Sequence, residues 1–209
     1  MLILASGFAL ACNNNSDHNK NWKVTGGSKA NIKYSALKEI DSSNVNKLQV
    51  AWVYHTEHND SANFGPMEGN PIVIGNILYG VSPKMKLFAV DAATGKEKWV
   101  FDPADSVTNK TWTVKSINMN RGVAYWEEGN DRRIIFTAGN IAFELNALTG
   151  KLITSFGKEG GLDLREGLGR KDVQDLFMAP TSPVMVYKNL FIVSGLVAEN
   201  TPGHIRAFD

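Results

Sequence analysis

One cysteine, Cys12, stands in the whole chain of 209 residues, so no disulfide can form within the chain. Charge of one sign is equally scarce. Twenty-two basic residues face 21 acidic ones, the net charge is +1 and no basic run exceeds a pair, which argues against nucleic acid as a partner. No phosphate-binding loop is present either. The glycine-rich stretches "GKEGG" (157–161) and "GLGR" (167–170) lack the strand, spacing and helix such a cradle needs, and read as loop glycines. Long hydrophobic runs are missing as well, since "MLILASGFALAC" (1–12) is too short to span a bilayer.

That first stretch is still informative. It runs through small residues to Cys12 and is followed by the polar "NNNSDHNKN". It resembles a bacterial lipoprotein signal, whose cysteine becomes the lipidated first residue of the mature chain. Ala9 stands where leucine is commoner, and no Lys or Arg precedes the apolar run. An ordinary export signal is the alternative reading. Both predict an exported protein, and the first adds a lipid anchor at Cys12 and a periplasmic, membrane-attached location.

What the chain does have is repetition. "KLFAVDAATGKEKWVFDP" (86–103) returns as "NIAFELNALTGKLITSFG" (140–157), with Thr94-Gly95-Lys96 opposite Thr149-Gly150-Lys151. Each copy reads as a strand, a Thr-Gly turn able to take positive φ, and a second strand. The closing "GHIRAFD" (203–209) begins a third copy. Ahead of the copies lie further strand pairs: "NPIVIGNILYGVS" (70–82), "RGVAYWEE" with "RRIIFTAGN" (121–128 and 132–140), and "TSPVMVYKNLFIVSG" (181–195). Repeats of this kind, each of about four strands, predict an all-β fold, a β-propeller of four-stranded antiparallel blades.

The segment "NVNKLQVAWVYHT" (44–56) reads as a lone outer strand, with Trp52 in the position Trp99 holds later. Propellers close with roughly four to eight blades, and this chain has strands for an arc of about three. The count therefore predicts the N-terminal part of a longer protein. The organisation expected is a signal segment at 1–12, an N-terminal extension at 13–43 and a partial propeller at 44–209. "HTEH" (55–58) puts two histidines three apart, but in a segment rich in Asn, Asp and Ser it reads as a solvated loop.

Taken in order, "YSALKEIDSSNVNKLQVAWVYHT", "MEGNPIVIGNILYG", "KLFAVDAATGKEKWVFDP", "NRGVAYWE", "SFGKEGGLDL" and "TSPVMVYKNLFIVSGLVAENTPGHIRAFD" carry a resemblance. Over residues 22–209 the chain is similar to the N-terminal part of the eight-bladed quinoprotein dehydrogenases, above all the glucose dehydrogenase type that uses pyrroloquinoline quinone. The resemblance implies a cofactor with three carboxylates and an ortho-quinone, held on the propeller axis with a divalent cation, usually calcium. Such a site needs cations, hydrogen-bond donors and hard oxygen ligands. It implies cofactor contacts for Glu68 in "MEGNP", Arg121 in "NRGVAYW" and Thr181 in "TSPV". The plain alternatives are a solvated turn carboxylate, a surface arginine and a turn residue before proline.

For the metal it implies Glu199 and Asn200 in "LVAENTPG", with Glu199 one methylene longer than the aspartate of the glucose-oxidising branch. The stretch "TVKSINMN" (113–120) lacks the vicinal cysteines of the methanol-oxidising branch, and it also lacks the histidine of the membrane-bound glucose enzymes. The family's catalytic aspartate lies beyond Asp209, so no residue here is named as the base. The implied function is oxidation of an aldose sugar or alcohol, with electrons passing to a membrane quinone or a cytochrome. A propeller lipoprotein that scaffolds protein assembly, without a cofactor, is the alternative from another class. A non-catalytic sugar-binding propeller is the third.

Overall fold

The computed structural model describes residues 21–35, 37–56, 67–105 and 119–209. Its architecture is built from antiparallel sheets. The first consists of β1 (Ile72–Ile74), β2 (Ile77–Val81), β3 (Leu87–Asp91) and β4 (Glu97–Phe101) in sequential order. The second consists of β5 (Ala124–Glu128), β6 (Asp131–Ala138), β7 (Ile141–Asn146) and β8 (Gly161–Asp163), again in sequence. A two-residue strand β9 (Met178–Ala179) precedes the third sheet. That sheet joins β10 (Met185–Tyr187), β11 (Leu190–Val193) and β13 (Arg206–Phe208), while β12 (Leu196–Val197) pairs with β9. Two complete blades and a three-stranded third are the architecture the repeats predict.

The Thr-Gly turns explain why the unit recurs. Asp91 Oδ1 accepts the amides of Ala93 and Thr94, each at 3.1 Å, and the Thr94 hydroxyl at 3.0 Å. Asn146 Oδ1 repeats this with the amides of Leu148 and Thr149, at 3.1 and 3.0 Å, and the Thr149 hydroxyl at 3.1 Å. The side chain thus closes the turn, as Asx residues do. Gly95 and Gly150 follow at φ 70° and 69°. A Cβ on Gly95 would lie 2.6 Å from the Trp52 ring, and one on Gly150 would lie 2.6 Å from the Trp99 ring. Each turn is therefore a seat for a tryptophan that precedes it in the chain. Trp52 Nε1 donates to the Ala92 carbonyl at 3.2 Å and Trp99 Nε1 to the Ala147 carbonyl at 3.0 Å. The equivalence of Trp52 and Trp99 holds.

Two expectations change. Residues 44–56 form a short 3-10 helix, Val45–Lys47, and then run on without strand pairing. An edge becomes a strand only against a partner that takes its backbone hydrogen bonds, and among the described strands none pairs with it. In the second blade the stretch after Thr149-Gly150 does not continue as one strand. Leu152 bridges Leu145, the chain then turns out through 154–160, and β8 resumes pairing at Phe143↔Gly161 and Ala142↔Leu162. Gly157 at φ 53° and Gly160 at φ 86° make this turn, and a Cβ on Gly157 would meet the Gly161 carbonyl oxygen at 2.1 Å. The "FGKEGGLDL" stretch thus supplies first a loop and then β8, the segment that completes the outermost position of the blade. "GLGR" likewise supplies turn glycines, with Gly167 and Gly169 both at positive φ.

Burial follows from face-to-face stacking. Ile134, Phe136 and Ala138 of β6 pack into a core shared with Tyr79, Leu87, Trp99 and Phe101 of the first blade. Ile135 and Ala142 face the other way, into a second core with Val193 and Phe191 of the third blade. A blade covered on both faces reads as a continuous apolar run where a half-exposed sheet would alternate. The Phe136 ring lies 6.4 Å from that of Phe143 and 6.5 Å from that of Phe101, and Phe101 and Phe143 meet at 5.3 Å. Tyr79 is sunk in the same core. Burial pushes its hydroxyl up to about 12, and the group donates to the Ala147 carbonyl at 3.1 Å.

Candidate functional site

The segments that lead into β1, β5 and β10, the first strand of each blade, meet at one rim. Their backbones are stitched together: the Asn70 amide donates to the Arg121 carbonyl at 3.1 Å, and the Arg121 amide donates to the Thr181 carbonyl at 2.8 Å. Side chains converge at the same point. Arg121 Nη1 donates to Thr181 Oγ1 at 2.7 Å and Nη2 lies 3.5 Å from Glu68 Oε2. Glu68, Arg121 and Thr181, from three different blades, therefore form one cluster. The Arg121 side chain is 46% exposed, so its guanidinium is held in direction and still open to solvent.

Glu199 and Asn200 are placed elsewhere. β12 pairs Leu196 with Ala179 and Val197 with Met178, so each step toward Glu199 is a step along β9 away from Thr181. Both residues are exposed, and Asn200 Oδ1 accepts the Thr201 hydroxyl at 3.3 Å. Among the described residues no hydrogen bond or ion pair joins them to the Arg121 cluster. Nor do three His, Cys, Asp or Glu side chains gather there as a metal set. Cys12 and His58 lie outside the described residues, as does most of "TVKSINMN". His55 sits in an irregular segment, as its composition suggests.

Arg121 also lines an open cavity of about 840 Å³ that runs along β5 and β10 and is walled on one side by residues 23–31. Its charged lining comprises Lys23, Lys29, Arg121 and Lys188 against Glu127 and Glu128. The volume lies within the range of small-ligand sites and the balance is basic. A polycarboxylate quinone fits such a donor set: the planar guanidinium suits a carboxylate or carbonyl oxygen, and the Thr181 hydroxyl stands beside it. Residues 21–23 are tied to the first blade, where Trp22 and Val73 exchange amide–carbonyl hydrogen bonds of 2.7 and 3.0 Å. Lys23 also pairs with Glu127, whose carboxyl that contact holds below its ordinary range.

Sequence reading missed several residues of the rim. Asn70 and Thr137 carry no chemical motif, and only folding brings Asn70 to the Arg121 carbonyl and Thr137 to Asn120 beside it. Asn120 stands next to Arg121 in "NRG", and its position two before a glycine is a turn signal that could have drawn attention.

A propeller arc of repeated antiparallel blades, with an arginine-centred polar cluster at its rim, is the class of protein that fold and site define. The comparisons narrow it. Residues 22–209 match the family described as "PQQ: Glucose/ethanol/alcohol dehydrogenase, beta-propeller domain", and the chain belongs to that family. The quinoprotein glucose dehydrogenase of Escherichia coli (strain K12) is 32% identical over 211 residues, which cover 91% of this chain and 26% of that protein. The dehydrogenase subunit of the alcohol dehydrogenase (quinone) of Gluconobacter oxydans (strain 621H) is 33% identical over 156 residues, covering 72% of this chain and 19% of that subunit. Among solved structures, the quinohemoprotein alcohol dehydrogenase from Comamonas testosteroni aligns with a TM-score of 0.69 at 27% identity, over 90% of this chain and 25% of that one. The chain spans about a fifth to a quarter of the length of these relatives.

Proposed function

We propose that this chain is part of an exported, lipid-anchored dehydrogenase that oxidises an aldose sugar or an alcohol with pyrroloquinoline quinone and a divalent cation, calcium by its hard oxygen ligands. The observation that carries this reading is the convergence of Glu68, Arg121 and Thr181 from three blades onto one basic rim. When bound, the quinone would supply the two-electron acceptor. Arg121 and Thr181 would bind its oxygens, and Glu68 would hold the Arg121 guanidinium in direction. Glu199 and Asn200 are assigned to the cation by the family resemblance, since in this arc both stand apart from the Arg121 cluster; a hard metal takes oxygen ligands in numbers of about six to eight. Electrons would leave to a membrane quinone or a cytochrome.

In the whole protein, calcium plus pyrroloquinoline quinone should convert an inactive apo form into one that reduces an artificial acceptor with an aldose or alcohol. Arg121→Ala should weaken quinone binding by about 1.5 to 3 kcal/mol, or roughly ten- to a hundredfold, as expected for a lost charge-assisted hydrogen bond. Glu199→Ala should instead raise the calcium needed for reconstitution. Absence of quinone binding at micromolar concentration with calcium present, followed by fluorescence quenching, would sink the dehydrogenase reading and leave the protein-assembly scaffold as the better account.

The anchor rests on the stretch 1–12 and its cysteine. Cys12→Ser is expected to release the processed protein from the membrane fraction of cells that make it. Wild type already recovered in the soluble periplasmic fraction would overturn the anchor.

A further inference from the structure

Arg121 owes its backbone placement to both neighbouring blades, through Asn70 and Thr181. What its own blade contributes lies one residue earlier. Asn120 is only 5% exposed. Its Oδ1 accepts the Gly122 amide at 2.7 Å, closing a turn around Arg121, and its Nδ2 donates to the Thr137 carbonyl at 2.9 Å on β6. Only this orientation of the amide puts an acceptor on the N–H and a donor on the carbonyl. Thr137 in turn reaches the third blade, its hydroxyl lying 3.5 Å from the Pro180 carbonyl, next to Thr181. The turn has no slack. Gly122 sits at φ 138°, and a Cβ there would lie 2.9 Å from the Asn70 carbonyl oxygen.

We propose that Asn120 is a positioning residue for the rim site: by clamping the turn at residues 120–122 to β6, it sets the direction in which Arg121 presents its guanidinium to an anionic quinone. The inference rests on the reading of this rim as the cofactor site, and goes beyond it by assigning the group that preorganises Arg121. A buried side chain with both polar ends satisfied stiffens the loop it belongs to, and binding groups held in direction lose less freedom when the ligand arrives.

The test measures the dissociation constant of pyrroloquinoline quinone on the whole protein, by fluorescence quenching with calcium present. Asn120→Ala loses both hydrogen bonds and is expected to bind the quinone about tenfold more weakly or worse. Asn120→Asp separates positioning from bulk stability. As a neutral acid it keeps both contacts, with its O–H donating to Thr137 and its other oxygen accepting from Gly122. Once ionised it loses the donor and sets a charge against a carbonyl. Burial raises the carboxyl of such a group, while Arg121 next to it and Glu68 across from Arg121 are the charges of that cluster. Near pH 5 the variant is expected to bind close to wild type, and its affinity relative to wild type should fall as pH rises to 8.

Melting temperatures, taken on the same samples, check for a merely structural role. If Asn120→Ala does not fold, the pH series on Asn120→Asp carries the test alone. A lowered melting temperature with a wild-type dissociation constant, or an Asn120→Asp affinity ratio that is flat from pH 5 to 8, overturns the inference. Wild-type protein that binds no quinone overturns the site reading and this inference with it.

Discussion

Trp99→Ala is expected to destabilise the chain by about 3 to 5 kcal/mol, the range for removing a large aromatic from a packed core. Trp99 is 8% exposed and lies over Gly150 of the next blade. Its ring centroid is 5.9 Å from that of Tyr79, and both side chains donate to the Ala147 carbonyl. The alanine variant therefore leaves a cavity between two blades, although Tyr79 still satisfies the carbonyl. Trp99→Phe keeps most of the volume and should cost about 0.5 to 1.5 kcal/mol for the lost hydrogen bond. Equilibrium urea unfolding measures both. A loss below 1 kcal/mol for the alanine variant would show that the indole seat does not hold the blades together.

Arg165→Ala is expected to cost a similar amount, about 3 to 5 kcal/mol at pH 7, for a different reason. Asp163 and Arg165 are 7% and 5% exposed, and Arg165 Nε and Nη2 reach the carboxylate at 3.0 and 2.7 Å. Burial opposes ionisation of Asp163. The Arg165 side chain and amide, with Asn140 Nδ2 at 3.1 Å, outweigh it and hold the carboxyl below its ordinary range. A depressed native value means the pair's contribution is complete above the unfolded value of about 3.9 and is lost as pH falls through the native one.

In the variant the uncompensated carboxylate is disfavoured and its native value rises. The stability gap between wild type and variant should therefore be widest near neutral pH and narrow toward pH 4. A gap that stays constant over that range would mean Asp163 finds another partner. The same corner is secured by Arg206, which donates to the Glu166 carbonyl at 2.6 Å and to that of Leu164, tying the third blade to the end of β8.

Legibility in the sequence followed sequence distance. The Thr-Gly turns depend on residues within four positions of one another, so their chemistry could be read directly and its repetition pointed to blades. The hairpins β1–β2 and β10–β11 belong to the same class, since Gly75 and Lys188 at their tips take positive φ as such turns require. The outermost strand of the second blade was different. "KLITSFG" has the composition of a strand, but Leu152 makes only one bridge and the ladder is completed by 161–163. What selects between them is which segment presents free backbone groups at the right spacing to the edge of β7, and no local propensity records that. The run at 44–56 stays outside the sheets for the matching reason, since β-branched and aromatic composition describes a surface that could pair, and pairing needs a neighbour.

The sequence by itself determined the repeat, the turn chemistry, the equivalence of Trp52 and Trp99 and the family, because each rests on short-range pattern or on motifs in order. It also put forward Glu68, Arg121 and Thr181, but as three separate candidates. Only the tertiary structure joined them, through hydrogen bonds between residues 51 and 60 positions apart, from Asn70 to Arg121 and from Arg121 to Thr181. It also set Glu199 and Asn200 in a turn beyond β12, whose ladder with β9 leads away from that cluster, and buried Asn120 beneath it. The physical reason is that blade stacking brings the first strands of successive repeats side by side. Which side chains then share a rim depends on where each strand begins in space, a quantity fixed by inter-blade packing and by backbone hydrogen bonds that no single stretch of sequence contains.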